Sequence, residues 1–263
     1  MEFDLVRYQI EDGIARVTID RPQARNALNR EAYRQLEGAF QQAQRDPSVR
    51  CVVLTGNDPS FCSGDDVKEL MTGLPDEIAR SSRPVRARPT PAALAVLECD
   101  RPVIAAVNGP AVGWGMDLTL FCDIRIASER ARFGELFVKR GLVSDIGGLW
   151  RLPQVVGPSK AAELLFTGDV IDAAEAERIG LVSSVVAHDA LMPSALELAA
   201  KIAANPPLAV RHLKEGLRLA SHGDVHELGA WVGQTLARLF QTEDHREGVQ
   251  SFLEKRAPKF KGR

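Results

Sequence analysis

Three short strand-like runs, Cys51 to Thr55, Val103 to Val107 and Asp123 to Ala127, recur along the chain with helical stretches between them. Runs this short and this apolar read as strands buried on both faces. Strands that alternate with helices pair in parallel through right-handed crossovers. The chain is therefore expected to form an α/β core. Ahead of it, Phe3 to Ile10 and Ile14 to Asp20 alternate as a hairpin around the turn Glu11, Asp12, Gly13. After the break at Arg21 and Pro22, Asn29 precedes a helix that runs to about Gln44, and Asp46 with Pro47 closes it. A further helix is expected near Pro91 to Glu98. Beyond roughly Pro158, helical periodicity dominates to Lys255, interrupted by one apolar stretch, Leu181 to Val186. The segment from Thr72 to Thr90, poor in apolar residues and rich in proline and arginine, reads as a long loop, either a solvated surface segment or a lid.

Composition narrows the partner. Hydrophobic residues make up 45% of the 263, enough for a packed interior without staples. A net charge of −2 supplies no basic field for nucleic acid or an anionic membrane, which leaves a small molecule as the expected partner. The basic tail at Lys255, Arg256, Lys259, Lys261 and Arg263 reads as a solvated terminus. Cys51, Cys62, Cys99 and Cys122 form no CxxC pair and have no histidine at metal-ligand spacing, so neither a metal site nor a disulfide framework is expected. A reducing, cytoplasmic compartment fits best. No apolar run approaches the roughly 18 residues of a membrane span, and the first residues are too charged for a signal peptide.

Two segments combine a strand end, a glycine-rich turn and a helix start, a geometry that leaves backbone N–H groups pointing at whatever lies in front. They are Phe61–Asp66 (FCSGDD) and Asn108–Gly115 (NGPAVGWG). Neither is a phosphate loop or a dinucleotide fingerprint. Asp117 then interrupts the apolar run Val112 to Phe121 and falls one helical turn after Gly113, where a buried carboxylate is costly unless it works. Asp123, followed by Arg125, reads as structural. Asp145, in Gly141–Gly148 (GLVSDIGG), is as well explained by helix capping as by chemistry. His188, His212, His222, His226 and His245 lie in the helical third away from any recognisable nucleophile motif, so a catalytic triad is not expected.

Taken in order, these segments resemble the enoyl-CoA hydratase/isomerase (crotonase) family over essentially the whole chain. The matching stretches are Arg21, Pro22 and Arg25 to Leu28; Val52 to Gly56; Phe61 to Gly64 with Asp66; Arg101 and Pro102 leading to Ala106–Gly109; Cys122 and Asp123; Phe133 and Gly134; Gly147 and Gly148 with Arg151 and Leu152; and Phe252–Arg256. The resemblance implies a spiral of ββα units over residues 1–195, which binds an acyl-CoA. Residues 196–263 would form a C-terminal helical region that completes the site and builds a homotrimer or a dimer of trimers. It implies no cofactor, since coenzyme A is part of the substrate, and no metal.

The same resemblance implies site roles. The oxyanion-hole donors fall on the backbone N–H groups of Asp65 and Trp114, where the family commonly has glycine at the latter. An indole there must point away from the thioester or narrow the acyl pocket. Coenzyme A contacts fall on Arg25 and Lys68, on the chain around Ser63, Gly64, Asp66 and Val67, on Gly113, and on Phe252 and Lys255 from the last helix. Of the hydratase's two glutamate positions, the first is Asp117 and the second is Phe137, which carries no acid. Asp145 stands where related isomerases carry an acid/base aspartate, and where a dehalogenase carries its nucleophile. That dehalogenase reading ranks lower, because the chain has no His or Trp partner where that enzyme's site would want one. The reading is therefore an enoyl-CoA hydratase with Asp117 and Asp145 as its acids. The alternatives are an isomerase working through Asp145, or a non-catalytic relative that binds coenzyme A or RNA.

Overall fold

The computed structural model of the chain describes residues 4–70, 89–221 and 223–263. Most of the loop read between Thr72 and Thr90, together with His222, lies outside the described residues. The opening hairpin pairs β1 (Val6–Glu11) antiparallel with β2 (Ile14–Ile19), and Asp12 and Gly13 turn the corner at positive φ. From β2 the pairing is parallel, through β3 (Cys51–Gly56), β4 (Val103–Val107), β6 (Ile124–Ser128) and β9 (Ser184–Val186). The result is a six-stranded sheet in the order β1-β2-β3-β4-β6-β9. Beside it, β5 (Pro110–Val112), β7 (Arg132–Gly134) and β8 (Ile171–Asp172) form a small second sheet.

The central strands are apolar throughout because both their faces are covered. Along β4, Val103, Ala105 and Val107 enter one core while Ile104 and Ala106 enter the other, and Val52 and Leu54 alternate with Cys51 and Val53 along β3 in the same way. This is the two-residue period of a strand acting on two layers at once. One layer is built by α1 (Arg30–Arg45), α3 (Pro91–Leu97) and α4 (Trp114–Phe121). Helix α1 starts where the Asn29 side chain accepts from the Ala32 N–H at 2.9 Å, and it buries Leu36, Ala39, Phe40 and Ala43. Between these helices lies the short α2 (Val67–Leu70).

The other layer is α8 (Leu191–Ala203), which lays Leu191, Ala195, Ala199 and Ala203 over the sheet. The expected boundary between residues 195 and 196 falls inside this helix. Side chains on both sides of it, Ala195 and Ala199, are buried in one core. Before it come α5 (Leu152–Val156), α6 (Pro158–Thr167) and α7 (Ala173–Arg178). The C-terminal section is α9 (Pro207–Ala220), α10 (Val225–Leu239) and α11 (Glu243–Glu254). Lys214 anchors α9 to the sheet, donating to the Arg101 carbonyl at 2.8 Å and to Asp123 at 2.6 Å. Asp123 also accepts from the Val103 N–H at 2.7 Å, which accounts for it structurally. Among the described residues no helix is long and apolar enough to cross a membrane.

Candidate active site

Two backbone segments run side by side in front of α4. Cys62 bridges Ala111 in parallel, and both the Phe61 and Cys62 N–H groups donate to the Pro110 carbonyl. Carried forward, this register sets Gly64 beside Gly113 and Asp65 beside Trp114. A Cβ on Gly64 would lie 3.2 Å from the Trp114 nitrogen, and one on Gly115 would lie 2.0 Å from the Cys62 carbonyl oxygen. Only glycine permits that approach, and Gly64 at φ +88° and Gly113 at φ +55° also need its conformational freedom. On the other edge, Leu28 and Asp66 take the bridging hydrogen bonds, so the Asp65 N–H is left over. Trp114 opens α4, where an N–H has no partner within the helix. Neither amide has an acceptor in the chain among the described residues. The arrangement is two adjacent N–H donors facing one place.

Every residue of α4 is buried, and Asp117 is its only charged side chain. The glycine pair that follows Asp145 makes room for it, since a Cβ on Gly147 would fall 2.2 Å from Asp117 Oδ1. That oxygen accepts from the Gly148 N–H, and Ser144 Oγ stands 3.4 Å away. Asp117 Oδ2 is buried without a partner among the described residues. Burial first, and the nearby charge of Asp145 second, push the Asp117 carboxyl up to about 8. A second buried acid stands close by. Glu135, 1% exposed, faces Ser144 Oγ at 3.1 Å, leaves Oε1 without a partner, and is held well above the ordinary range by burial and by Asp117. Sequence reasoning missed Glu135. The one signal was its place directly after the Phe133-Gly134 pair, just past the end of β7.

Asp145 stands at the entry to a π-helical turn, Gly147–Arg151. It is partly exposed, and its Oδ1 accepts from the Ile146 N–H at 2.7 Å. Its Oδ2 accepts from the Trp114 indole N–H at 3.1 Å. Asp145 thus has a tryptophan partner, supplied by α4. The Trp114 ring is buried edge-on between Tyr33, at 4.7 Å, and Phe121, at 5.8 Å. Phe121 and Ile146 also line a cavity of about 480 Å³. The Tyr33 hydroxyl donates to the Asp65 side chain at 2.6 Å, and burial raises the Asp65 carboxyl. Phe137, partly buried against the core, leads into a 3₁₀ turn, Val138–Arg140, and brings no acid to the site.

The positions matched to coenzyme A divide into two groups. Arg25 is exposed at φ +51°, and its carbonyl accepts from the Ser63 N–H at 3.2 Å, so the Arg25 loop is seated on the segment that holds Ser63, Gly64 and Asp65. Asp66 is tied to Arg21 at 3.1 Å, and Val67 and Lys68 are exposed on the first turn of α2. Phe252, 82% exposed, instead lines an apolar groove with Leu239, Phe240 and Leu253, and Lys255 ends α11 in the left-handed region. The structure gathers Arg25, Ser63, Gly64, Asp65, Gly113, Trp114, Asp117 and Asp145 at one place. Phe252 and Lys255 stand apart on the C-terminal helix.

The family model described as enoyl-CoA hydratase/isomerase matches residues 9–263. The chain is 36% identical to a crotonyl-CoA hydratase of Syntrophomonas wolfei, covering 99% of each chain. To a short-chain-enoyl-CoA hydratase of Clostridium acetobutylicum it is 38% identical, covering 97% of each. Among solved structures, an enoyl-CoA hydratase from Bacillus anthracis superposes with a TM-score of 0.89 at 32% identity, covering 99% of this chain and 100% of that one.

Proposed function

The chain belongs to the enoyl-CoA hydratase/isomerase family, and from that premise we propose that it adds water to a 2-enoyl-CoA thioester, with Asp117 and Asp145 as its two acids. The observation that carries this reading is the convergence of two free amides and two carboxyls at the start of α4. The Asp65 and Trp114 N–H groups hold the thioester oxygen as it gains charge, each contributing about 3 kcal/mol by the scale of other oxyanion holes. One carboxylate takes a proton from water as the oxygen adds at Cβ, the other carboxyl gives its proton to Cα, and passage of the water-derived proton between the two acids resets them for the next turnover. Arg25 and Lys68 suit the phosphates of coenzyme A by charge, and the backbone from Ser63 to Val67, with Gly113, suits the pantetheine and adenine edges.

A second reading follows from burial. Asp117 is wholly buried whereas Asp145 is partly exposed, and Phe137 supplies no acid. A single accessible carboxyl is enough to move a proton between Cα and Cγ, which is double-bond isomerisation. Turnover of a 2-enoyl-CoA in heavy-oxygen water, read by mass, separates the two. Hydration incorporates one labelled oxygen and slows by about 10²–10⁴-fold in Asp117→Asn and in Asp145→Asn alike. Isomerisation incorporates none and depends on Asp145 alone. If both variants keep the wild-type rate, neither assignment stands.

A further inference from the structure

Ser144 places its hydroxyl between two buried acids. Its Oγ lies 3.1 Å from Glu135 Oε2, 3.4 Å from Asp117 Oδ1 and 3.2 Å from the Asp145 carbonyl oxygen. A serine hydroxyl has one proton to donate and can accept in return. It has one proton for three acceptors, so where both carboxyl contacts are hydrogen bonds one of the acids must supply a proton to the serine oxygen. Two carboxylates sharing a dry site cannot both stay charged. The surroundings decide which keeps the proton. Asp117 Oδ1 accepts the fixed Gly148 amide, whereas Glu135 has only Ser144 among the described residues. The charged groups that bear on the pair are each other and Asp145, all acidic. Arg140 bears on Asp65, and Arg151, at the end of the π-helical turn, is bonded to Gln154 and the Leu120 carbonyl.

We infer that Glu135 is a positioning acid for this site: it retains its proton when Asp117 ionises, donates it to Ser144 Oγ, and so turns the Ser144 proton onto Asp117 Oδ1. The chain of donors runs Glu135 to Ser144 to Asp117, with Gly148 as the second donor on the same oxygen. It fixes the Asp117 carboxylate by Oδ1 and leaves Oδ2, buried and without a partner among the described residues, as the oxygen that no donor of the chain engages. This inference rests on the assignment of Asp117 above for its catalytic meaning, though not for the location of the proton.

Infrared spectroscopy of the whole protein tests it. At a pH about one unit above the Asp117 midpoint, the carbonyl stretch of a neutral carboxyl should remain. It should shift when glutamate side chains carry ¹³C, stay unmoved when aspartate side chains do, and disappear in Glu135→Gln. Absence of the band, or a shift with labelled aspartate, overturns the inference, and the labelling needs no variant to fold. Kinetics give the second readout. Ser144→Ala removes a donor from the Asp117 anion, so the ionisation limb of the rate profile should move to higher pH, and Ser144→Thr should bring it back. A limb that stays in place in Ser144→Ala contradicts the relay. If the protein turns over no enoyl-CoA, the proposed reaction fails while the infrared band still locates the proton.

Discussion

At the scale of single residues, the site depends on where one indole points. Trp114 sits at a position whose backbone N–H, not its side chain, would meet the substrate, yet its ring fills the space between Tyr33 and Phe121 and its Nε1 donates to Asp145. Trp114→Phe keeps the apolar ring and removes that donor. A hydrogen bond to a charged group contributes about 1.5–3 kcal/mol, so turnover should drop by roughly tenfold or more while the fold persists. An unchanged rate, measured at saturating substrate, would show that Asp145 needs no such partner. Asp117 and Asp145 were legible in the sequence because a lone carboxylate in an apolar run, or between glycines, stands out against its surroundings. Glu135 was not, because Arg132, Lys139 and Arg140 around it make the segment look like an ordinary charged surface. Its burial depends on tertiary packing just past the end of β7, which no local pattern encodes.

At the scale of elements, the runs that cover two cores were readable, since continuous burial leaves no polar alternative: β3 and β4 fall within one residue of where periodicity puts them. The three-residue strands β5 and β7 and the π-helical turn were not, because their pairing is set by tertiary contacts and not by local pattern. That turn exists in close register with α4. Gly147 lies so near Asp117 that an added Cβ would overlap Oδ1 and approach Cα to 2.7 Å. Neither the acid nor the helix backbone has room to retreat. Gly147→Ala should therefore shift the π-helical turn, detach the Gly148 amide from Asp117 and remove most activity. A variant that melts near the wild-type temperature and also turns over at the wild-type rate would show that the contact is soft.

Across the whole molecule, the buried acids make a statement about pH. The raised carboxyls of Asp117 and Glu135 mean that the folded chain binds more protons than the unfolded one between the ordinary carboxyl range and the raised values. Their contribution to stability is complete at low pH and is lost as pH climbs through about 8 for Asp117. Denaturant midpoints should fall across that range, and fall less in Asp117→Asn. A flat profile would mean the acids are better solvated than their burial implies. The C-terminal section carries a second message, since Leu213, Leu217, Phe240, Phe252 and Leu253 are all more than half exposed. Apolar surface of this extent fits the trimeric assembly that the family resemblance implies. Sedimentation should give a multiple of the protomer mass, reduced by Leu213→Glu with Leu217→Glu, whereas a monomeric wild type would contradict it.

The most direct test of the central claim is ultraviolet absorbance, because conjugation of a double bond with the thioester reports the reaction itself. With a 2-enoyl-CoA, the purified protein should erase the conjugated band, and Asp145→Asn and Asp117→Asn should each slow that loss severely. If the 2-enoyl band stays while a 3-enoyl-CoA gains one, hydration through the two aspartates is wrong, and proton shuttling by Asp145 takes its place.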